Sequence, residues 1–385
     1  MKYNFDKIIE RYGTSSLKYD SHEQFGIPKT ALPLWVADMD FQIPPEATEA
    51  IMDYAKHGIY GYTSVDLDYN QAIIDWFARY FEFESKAEWI VQTPGVVYAL
   101  VQAIRAYTNE GDAVMIQTPV YRPFMSVVKS NNRKLVENPL VYDEVSNRYV
   151  IAFDDLVKKI KENNVRIFIL CSPHNPVSRV WSMEELREIA DICRRYDCLV
   201  ISDEIHSDLI FEGHKHHMFP DLDNCIICTA PSKTFNLAGL QNANIFIANE
   251  ELRTKFQREL HSSGYGELNT MGLIACKAVY RHGHQWLKEL IEYLQGNFDY
   301  LDAYLANTQI KVQKPEGTYL IWLDFRKYGL SDEDLNDTLL KAGVWLNKGT
   351  FFGTGGEGFM RINIACPRST LEEALRRIGN IKWRA

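Results

Sequence analysis

The chain has 385 residues, 46% of them hydrophobic and 24% charged. That is enough apolar surface for a sizeable core and room for two domains, and it excludes disorder as the main state. Lys and Arg number 42 against 51 Asp and Glu, a formal charge of −9, so no basic surplus exists to neutralise nucleic-acid phosphates.

The opening MKYNFDKIIERYG mixes charges into its apolar residues and does not read as a secretory signal. The first 45 residues read as irregular, punctuated by Pro28, Pro33, Pro44 and Pro45. An amphipathic stretch follows from Glu46 to Lys56. From about residue 90, short apolar runs alternate with helical patterns. DAVMIQ (112–117), VRIFILC (165–171), CLVISDE (198–204), CIICTA (225–230) and NANIFIA (242–248) read as buried strands. Their unbroken apolar character suits a parallel sheet covered on both faces. One helix is expected from Pro94 to Thr108, stopping before Gly111. Another begins at Ser182, with Glu185 three residues on as a capping box. A long helical stretch covers about 249–307. Beyond it, GTYLIWLDF (317–325) and FMRINIA (359–365) read as strands, SDEDLNDTLLKAG (331–343) as a helix and STLEEALRRIG (369–379) as a capped final helix.

This order predicts an α/β fold. A three-layer large domain with a mainly parallel sheet is expected over residues 46–285, and a smaller α+β C-terminal domain over 286–385. An N-terminal segment, 1–45, is expected to pack with the smaller domain. No apolar run approaches the roughly 18 residues of a membrane span, so no membrane is expected. Seven cysteines, an odd number in a long chain, suit a reducing cytoplasm better than a disulfide scaffold.

Three groups look like chemistry and have plainer readings. Cys225 and Cys228 have the spacing of a metal or redox pair, but in a strand they face opposite sides of the sheet. His214, His216 and His217 read as a solvated loop, because no carboxylate or thiol spacing completes a ligand set. Glycines 349, 353, 355, 356 and 358 resemble a phosphate loop without the Gly-Lys-Ser/Thr ending. A flexible lip on an active site fits them better, and no metal is expected.

The stronger candidates lie at predicted strand ends, where open α/β sheets bind ligands. Thr93-Pro94-Gly95-Val96-Val97 opens a helix whose free N–H groups suit an anion such as phosphate. Ser172-Pro-His-Asn175-Pro176 follows one strand. Asp203-Glu204 ends another, and Ser232-Lys233-Thr234 follows a third. Singly, each also reads as an ordinary turn, cap or loop. Together, their order matches one cofactor.

That set resembles the fold-type I enzymes dependent on pyridoxal 5′-phosphate, the aspartate aminotransferase superfamily. The resemblance runs from Trp35 to Arg361. LPLWVADMDF (32–41), HGIYGYT (57–63), SPHNPVSR (172–179), SDEIHSD (202–208), SKTFNLAGL (232–240) and GEGFMRINIACPRS (356–369) are similar to its cystathionine β-lyase, or C–S lyase, branch. The resemblance implies that Lys233 bonds the cofactor aldehyde and then acts as base, a role a desolvated lysine can fill. It implies that Asp203 faces the pyridine nitrogen and keeps the ring protonated. Asn175 donates to the ring's phenolic oxygen. Tyr121 stacks on the ring and is counted with Lys233 as catalytic; the alternative is a core tyrosine with its hydroxyl bonded. Gly95, Val96 and Ser232 hold the phosphate, with Val97 and His206 in the same cofactor set. Tyr62 arrives from the neighbouring subunit of a homodimer. Arg361 clamps the substrate α-carboxylate, with Ala37 and Tyr62 beside the substrate.

Aminotransferases usually carry a tyrosine where His206 stands and a phosphate-binding arginine where Gln241 stands. Both departures are familiar in the C–S lyase branch. The implied activity cleaves L-cystathionine and other L-cysteine thioethers to thiol, pyruvate and ammonia. Two other readings stay open: an aminotransferase with the same cofactor, and a lyase with a second, regulatory binding role.

Overall fold

The computed structural model describes residues 2–383. Its central sheet has seven strands: β1 (Ile90–Thr93), β2 (Ala113–Ile116), β3 (Lys134–Glu137), β4 (Val165–Cys171), β5 (Leu199–Asp203), β6 (Cys225–Thr229) and β7 (Ala243–Phe246). They lie side by side in the order β1-β7-β6-β5-β4-β2-β3. From β6 to β3 every pairing is parallel, and β7 runs antiparallel to both β6 and β1.

The two faces of β4 show why the strands are apolar throughout. Ile167, Ile169 and Cys171 enter one core cluster, while Phe168 and Leu170 enter the other. Successive side chains of a strand point to opposite faces, so a sheet covered on both sides needs apolar residues at every position. Helices Val96–Tyr107, Pro123–Ser130 and Glu250–Ser262 supply one cluster through residues such as Leu100, Phe124 and Phe256. Helices Leu67–Phe81, Phe153–Asn163 and Met183–Arg195 supply the other through Trp76, Leu156 and Ile189. The result is the expected three-layer α/β arrangement. Each fully buried Ile or Phe stabilises it by about 1.5–3 kcal/mol.

A second, antiparallel sheet has four strands: β8 (Lys311–Val312), β9 (Leu320–Asp324), β10 (Asn347–Lys348) and β11 (Phe359–Asn363), in the order β8-β9-β11-β10. Leu32–Pro33 pairs in parallel with Val344–Trp345, which ties the N-terminal segment to this part. Among the described residues, no helix is long and apolar enough to cross a membrane.

Several sequence expectations need correction. NANIFIA forms β7 but runs antiparallel, because burial on two faces makes a run apolar whatever its direction. The long stretch near 249–307 is three helices: Glu250–Ser262, Thr270–His282 and His284–Leu305. Asn269 restarts the second by accepting from Gly272 N at 2.7 Å. Gly283 separates the second from the third, where a Cβ would collide with the Phe235 ring. Helix Leu67–Phe81, capped by Asp66 on Tyr69 N at 2.6 Å, and strands β1 and β3 were not expected. The Ser182–Glu185 capping box and the Ser331 cap are present. The final helix, Arg368–Gly379, follows Pro367 without a side-chain cap.

Candidate active site

The C-terminal ends of β1, β4, β5 and β6 open into a cavity of about 610 Å³. Ala37, Gly95, Val96, Val97, Tyr121, Asn175, Asp203, His206, Ser232, Lys233 and Arg361 all line it. Tyr62 does not. It lies in the irregular stretch between helices Pro45–His57 and Leu67–Phe81, 97% exposed and not among the residues lining the cavity of its own chain.

Lys233 sits in a short turn, Pro231–Thr234, just after β6. Its Nζ donates to the Ala37 carbonyl at 2.8 Å. Burial penalises its charged form and brings the amine down to about 8; Asp38 opposes that shift and Arg361 adds to it. Asp203, at the end of β5, is pushed up to about 7 by burial. Its Oδ1 accepts from Ile205 N at 3.2 Å. A buried carboxyl held by so little suits a cationic ring nitrogen, whose charge would draw its proton off. Neighbouring Glu204 faces elsewhere, bonding Ser202 Oγ at 2.8 Å, His216 Nε2 at 2.8 Å and Phe219 N at 3.1 Å.

Arg361 projects from β11 and is buried. One nitrogen donates to Asn175 Oδ1 at 3.0 Å and another to the Trp35 carbonyl at 2.7 Å. The third, Nε, is buried without a partner. Burial lowers its pKa to about 10, which leaves it charged at neutral pH. It makes no ion pair among the described residues, so a buried cation here waits for an anion. His206 is pushed down to about 3 by burial, with Lys233 and Arg361 adding to the effect, and is neutral. Tyr121 is raised, chiefly by burial, and stays protonated.

The helix Val96–Tyr107 starts at the cavity wall. It has no side-chain cap and no acidic residue in its first turn, so its first N–H groups and positive dipole end suit an anion. Gly95, just before it, also lines the cavity, and a Cβ built on it would meet no atom within 4 Å. An amine of lowered pKa, a buried carboxyl, an open helix start and the Asn175 amide together fit the pyridoxal 5′-phosphate that the sequence resemblance implies.

The segment Trp35–Phe41, whose first three residues line the cavity, is pinned by side chains that sequence reading missed. Tyr319 donates to the Ala37 carbonyl at 3.0 Å. Asn363 donates to the Val36 and Asp38 carbonyls at 2.6 and 2.7 Å. Asn236 bonds both polar groups of the Met39 backbone at 3.0 Å. These bonds go to main-chain atoms, which no motif marks. Trp35, Asn242, Asn347 and Phe351 also line the cavity.

The other groups resolve differently. Cys225 and Cys228 do face opposite clusters. His216 is not in a solvated loop: it is 3% exposed and pairs with Glu204, because the stretch after Gly213 folds against that carboxylate. The glycine-rich segment does reach the cavity through Phe351, but its packing is tight rather than loose. A Cβ on Gly349 would strike the Gly356 carbonyl.

Residues 29–378 match the aminotransferase class I and II family. The chain belongs to this family. Among family relatives, the chain is 46% identical over 384 residues to cystathionine β-lyase PatB of Bacillus subtilis (strain 168), covering 97% of this chain and 98% of that one. Its fold superposes on cystalysin from Treponema denticola, which contains a pyridoxal 5′-phosphate cofactor. The TM-score is 0.95 at 36% identity, with 99% of each chain covered. It also superposes on the pyridoxal phosphate-bound C–S lyase of Staphylococcus hominis, with a TM-score of 0.91 at 34% identity over 98% of this chain and 97% of that one.

Proposed function

We propose that this family member is a pyridoxal 5′-phosphate-dependent carbon–sulfur β-lyase of the cystathionine β-lyase type. One observation carries the reading: Lys233, held near neutral pKa by burial, shares a cavity with buried Asp203 and unpaired Arg361. The near full-length similarity to PatB and cystalysin supports it.

Arg361 binds the substrate α-carboxylate through paired N–H groups, a geometry lysine cannot reproduce. That fixes the Cα–H bond relative to Lys233. The cofactor, when bound, supplies the sink for the charge left at Cα. Lys233, as free amine, takes the Cα proton. The thiolate leaves Cβ, and with water the remainder ends as pyruvate and ammonia. A thiolate whose conjugate thiol has a pKa of about 8.5 departs without prior protonation. Asp203 would hold the ring nitrogen of the cofactor, Gly95, Val96, Val97 and Ser232 its phosphate, Asn175 its phenolic oxygen and Tyr121 its ring face. His206 and Gln241, in place of the aminotransferase tyrosine and arginine, favour elimination over transamination.

The working unit in this reading is a homodimer, with Tyr62 completing the partner's site. Ile59, Tyr60, Tyr62 and Leu67 are 64%, 61%, 97% and 84% exposed, an apolar surface that suits an interface. The same reading divides the chain into segment 1–45, a cofactor-binding domain at 46–285 and a smaller domain at 286–385. All seven cysteines are free, which supports a cytoplasmic location.

The deciding experiment supplies L-cystathionine and several cysteine thioethers and measures pyruvate and thiol. Equal pyruvate, ammonia and homocysteine from L-cystathionine are expected. Glutamate formation from L-aspartate or L-alanine with 2-oxoglutarate should be slower by orders of magnitude. Comparable glutamate formation with little pyruvate would make the chain an aminotransferase.

A further inference from the structure

Beside the cavity mouth lies a second groove of about 440 Å³, lined by Arg122, Met125, Ser126, Lys129, Lys348, Thr350, Phe351 and Gly353. Three of these side chains are cations and none is an acid, in a chain whose net charge is −9. None of the three makes an ion pair among the described residues. The loop's own carboxylate, Glu357, accepts from Gly355 N at 3.0 Å, and Glu137, which meets the loop at Thr354, accepts from the hydroxyls of Thr118 and Thr354.

The groove is joined to the active site through shared walls. Phe351 lines both spaces. Arg122 follows Tyr121 in the chain and lies over the Phe351 ring at 4.8 Å. Lys348 follows Asn347, whose strand partner across β10–β11 is Arg361. Neighbouring residues in a chain are 3.8 Å apart at Cα, so both cations stand one residue from a group lining the substrate cavity. A substrate anchored by its α-carboxylate on Arg361 would lie in a cavity that shares its Phe351 wall with this groove.

We infer that this groove is a second anion subsite, which selects cysteine S-conjugates whose tail ends in a carboxylate. The inference rests on the lyase reading above and names its substrate class. Three cations without an acid repel an ammonium as well as attract a carboxylate. The groove therefore favours a plain carboxylate tail over the zwitterionic far end of cystathionine.

The test compares kcat/KM, by pyruvate release, for S-carboxymethyl-, S-(2-carboxyethyl)- and S-(3-carboxypropyl)-L-cysteine with the matching carboxamides. The carboxamide differs from the acid mainly in charge, and the ratio of the two cancels effects common to both. The ratio in the unaltered enzyme should reach about tenfold at the best tail length. Arg122→Gln, Lys129→Gln and Lys348→Gln should each lower it about two- to fivefold, the range of exposed ion pairs. The change should sit in KM, and high salt should narrow the ratio. A ratio near one at every length, or one that no substitution moves, overturns the subsite. A ratio moved by Arg122→Gln alone also overturns it, because that residue packs on Phe351. Failure to cleave any thioether, L-cystathionine included, would instead remove the lyase reading.

Discussion

Asn175 accepts a 3.0 Å hydrogen bond from Arg361 through its Oδ1. A guanidinium only donates, so the amide orientation is fixed and Nδ2 is left as the free donor. In the proposed reading, one side chain thus orients the group that binds the substrate carboxylate and would offer a donor to the cofactor's phenolic oxygen. Asn175→Ala should raise KM for amino-acid substrates about tenfold or more, since a hydrogen bond to a charged group contributes ~1.5–3 kcal/mol. It should also shift the visible absorption of the bound cofactor. A normal spectrum with an unchanged KM would separate Asn175 from both roles.

Asp203 gives a pH-dependent stability that can be read without the cofactor. An unfolded aspartate releases its proton at about 3.9. The folded chain holds it to about 7 because burial disfavours the carboxylate. Between those values the folded state binds more protons, so stability falls as pH rises. Asp203→Asn removes that dependence. In the cofactor-free chain its Tm should match the unaltered protein near pH 4 and exceed it by pH 7. A variant that is less stable at pH 7 would show the carboxylate to be structurally favourable.

Lys233 should be the most reactive lysine of the cofactor-free chain at neutral pH. With its amine at about 8, about a quarter is unprotonated at pH 7.5, against about 0.1% for an ordinary lysine. Acylation followed by peptide mapping should show its rate rising with a midpoint near 8. Borohydride reduction of the loaded enzyme should tag the same peptide. A tag on another lysine, or a midpoint above about 10, would remove the assignment.

The parts of this architecture that were legible in the sequence are those where chemistry repeats along the chain. VRIFILC is apolar at every position because β4 is buried on both faces, and Ser182 and Glu185 announce a helix start in two letters. The site was legible where its residues stand at strand ends: Asp203, Lys233 and the Gly95 turn. Direction and register were not. β7 looks like its parallel neighbours because each presents two apolar faces. Tyr319 and Asn363 were invisible as site residues because they hold carbonyls of residues 36–38, and a backbone acceptor has no letter. His216 was misread for a related reason: Glu204, its partner, lies twelve residues away, and pairing across a fold leaves no local pattern.

Tyr62 supplies the sharpest test of assembly. The side chain is almost wholly exposed in one chain, yet a large aromatic at the surface, next to Ile59, Tyr60 and Leu67, is costly unless something covers it. If it completes the partner's site, Tyr62→Ala should cost activity without lowering the stability of the single chain, because it packs against little in its own subunit. Lys233→Ala chains should be inactive for a different reason. In a hybrid of the two, one site carries the altered Tyr62 and the altered Lys233, and the other carries neither. Mixing the inactive proteins under conditions of verified subunit exchange should therefore restore activity. Random exchange makes half of the dimers hybrids, each with one intact site of two, so about a quarter of the normal activity is the ceiling. No recovery despite exchange would place Tyr62 in its own subunit's chemistry or outside the site altogether.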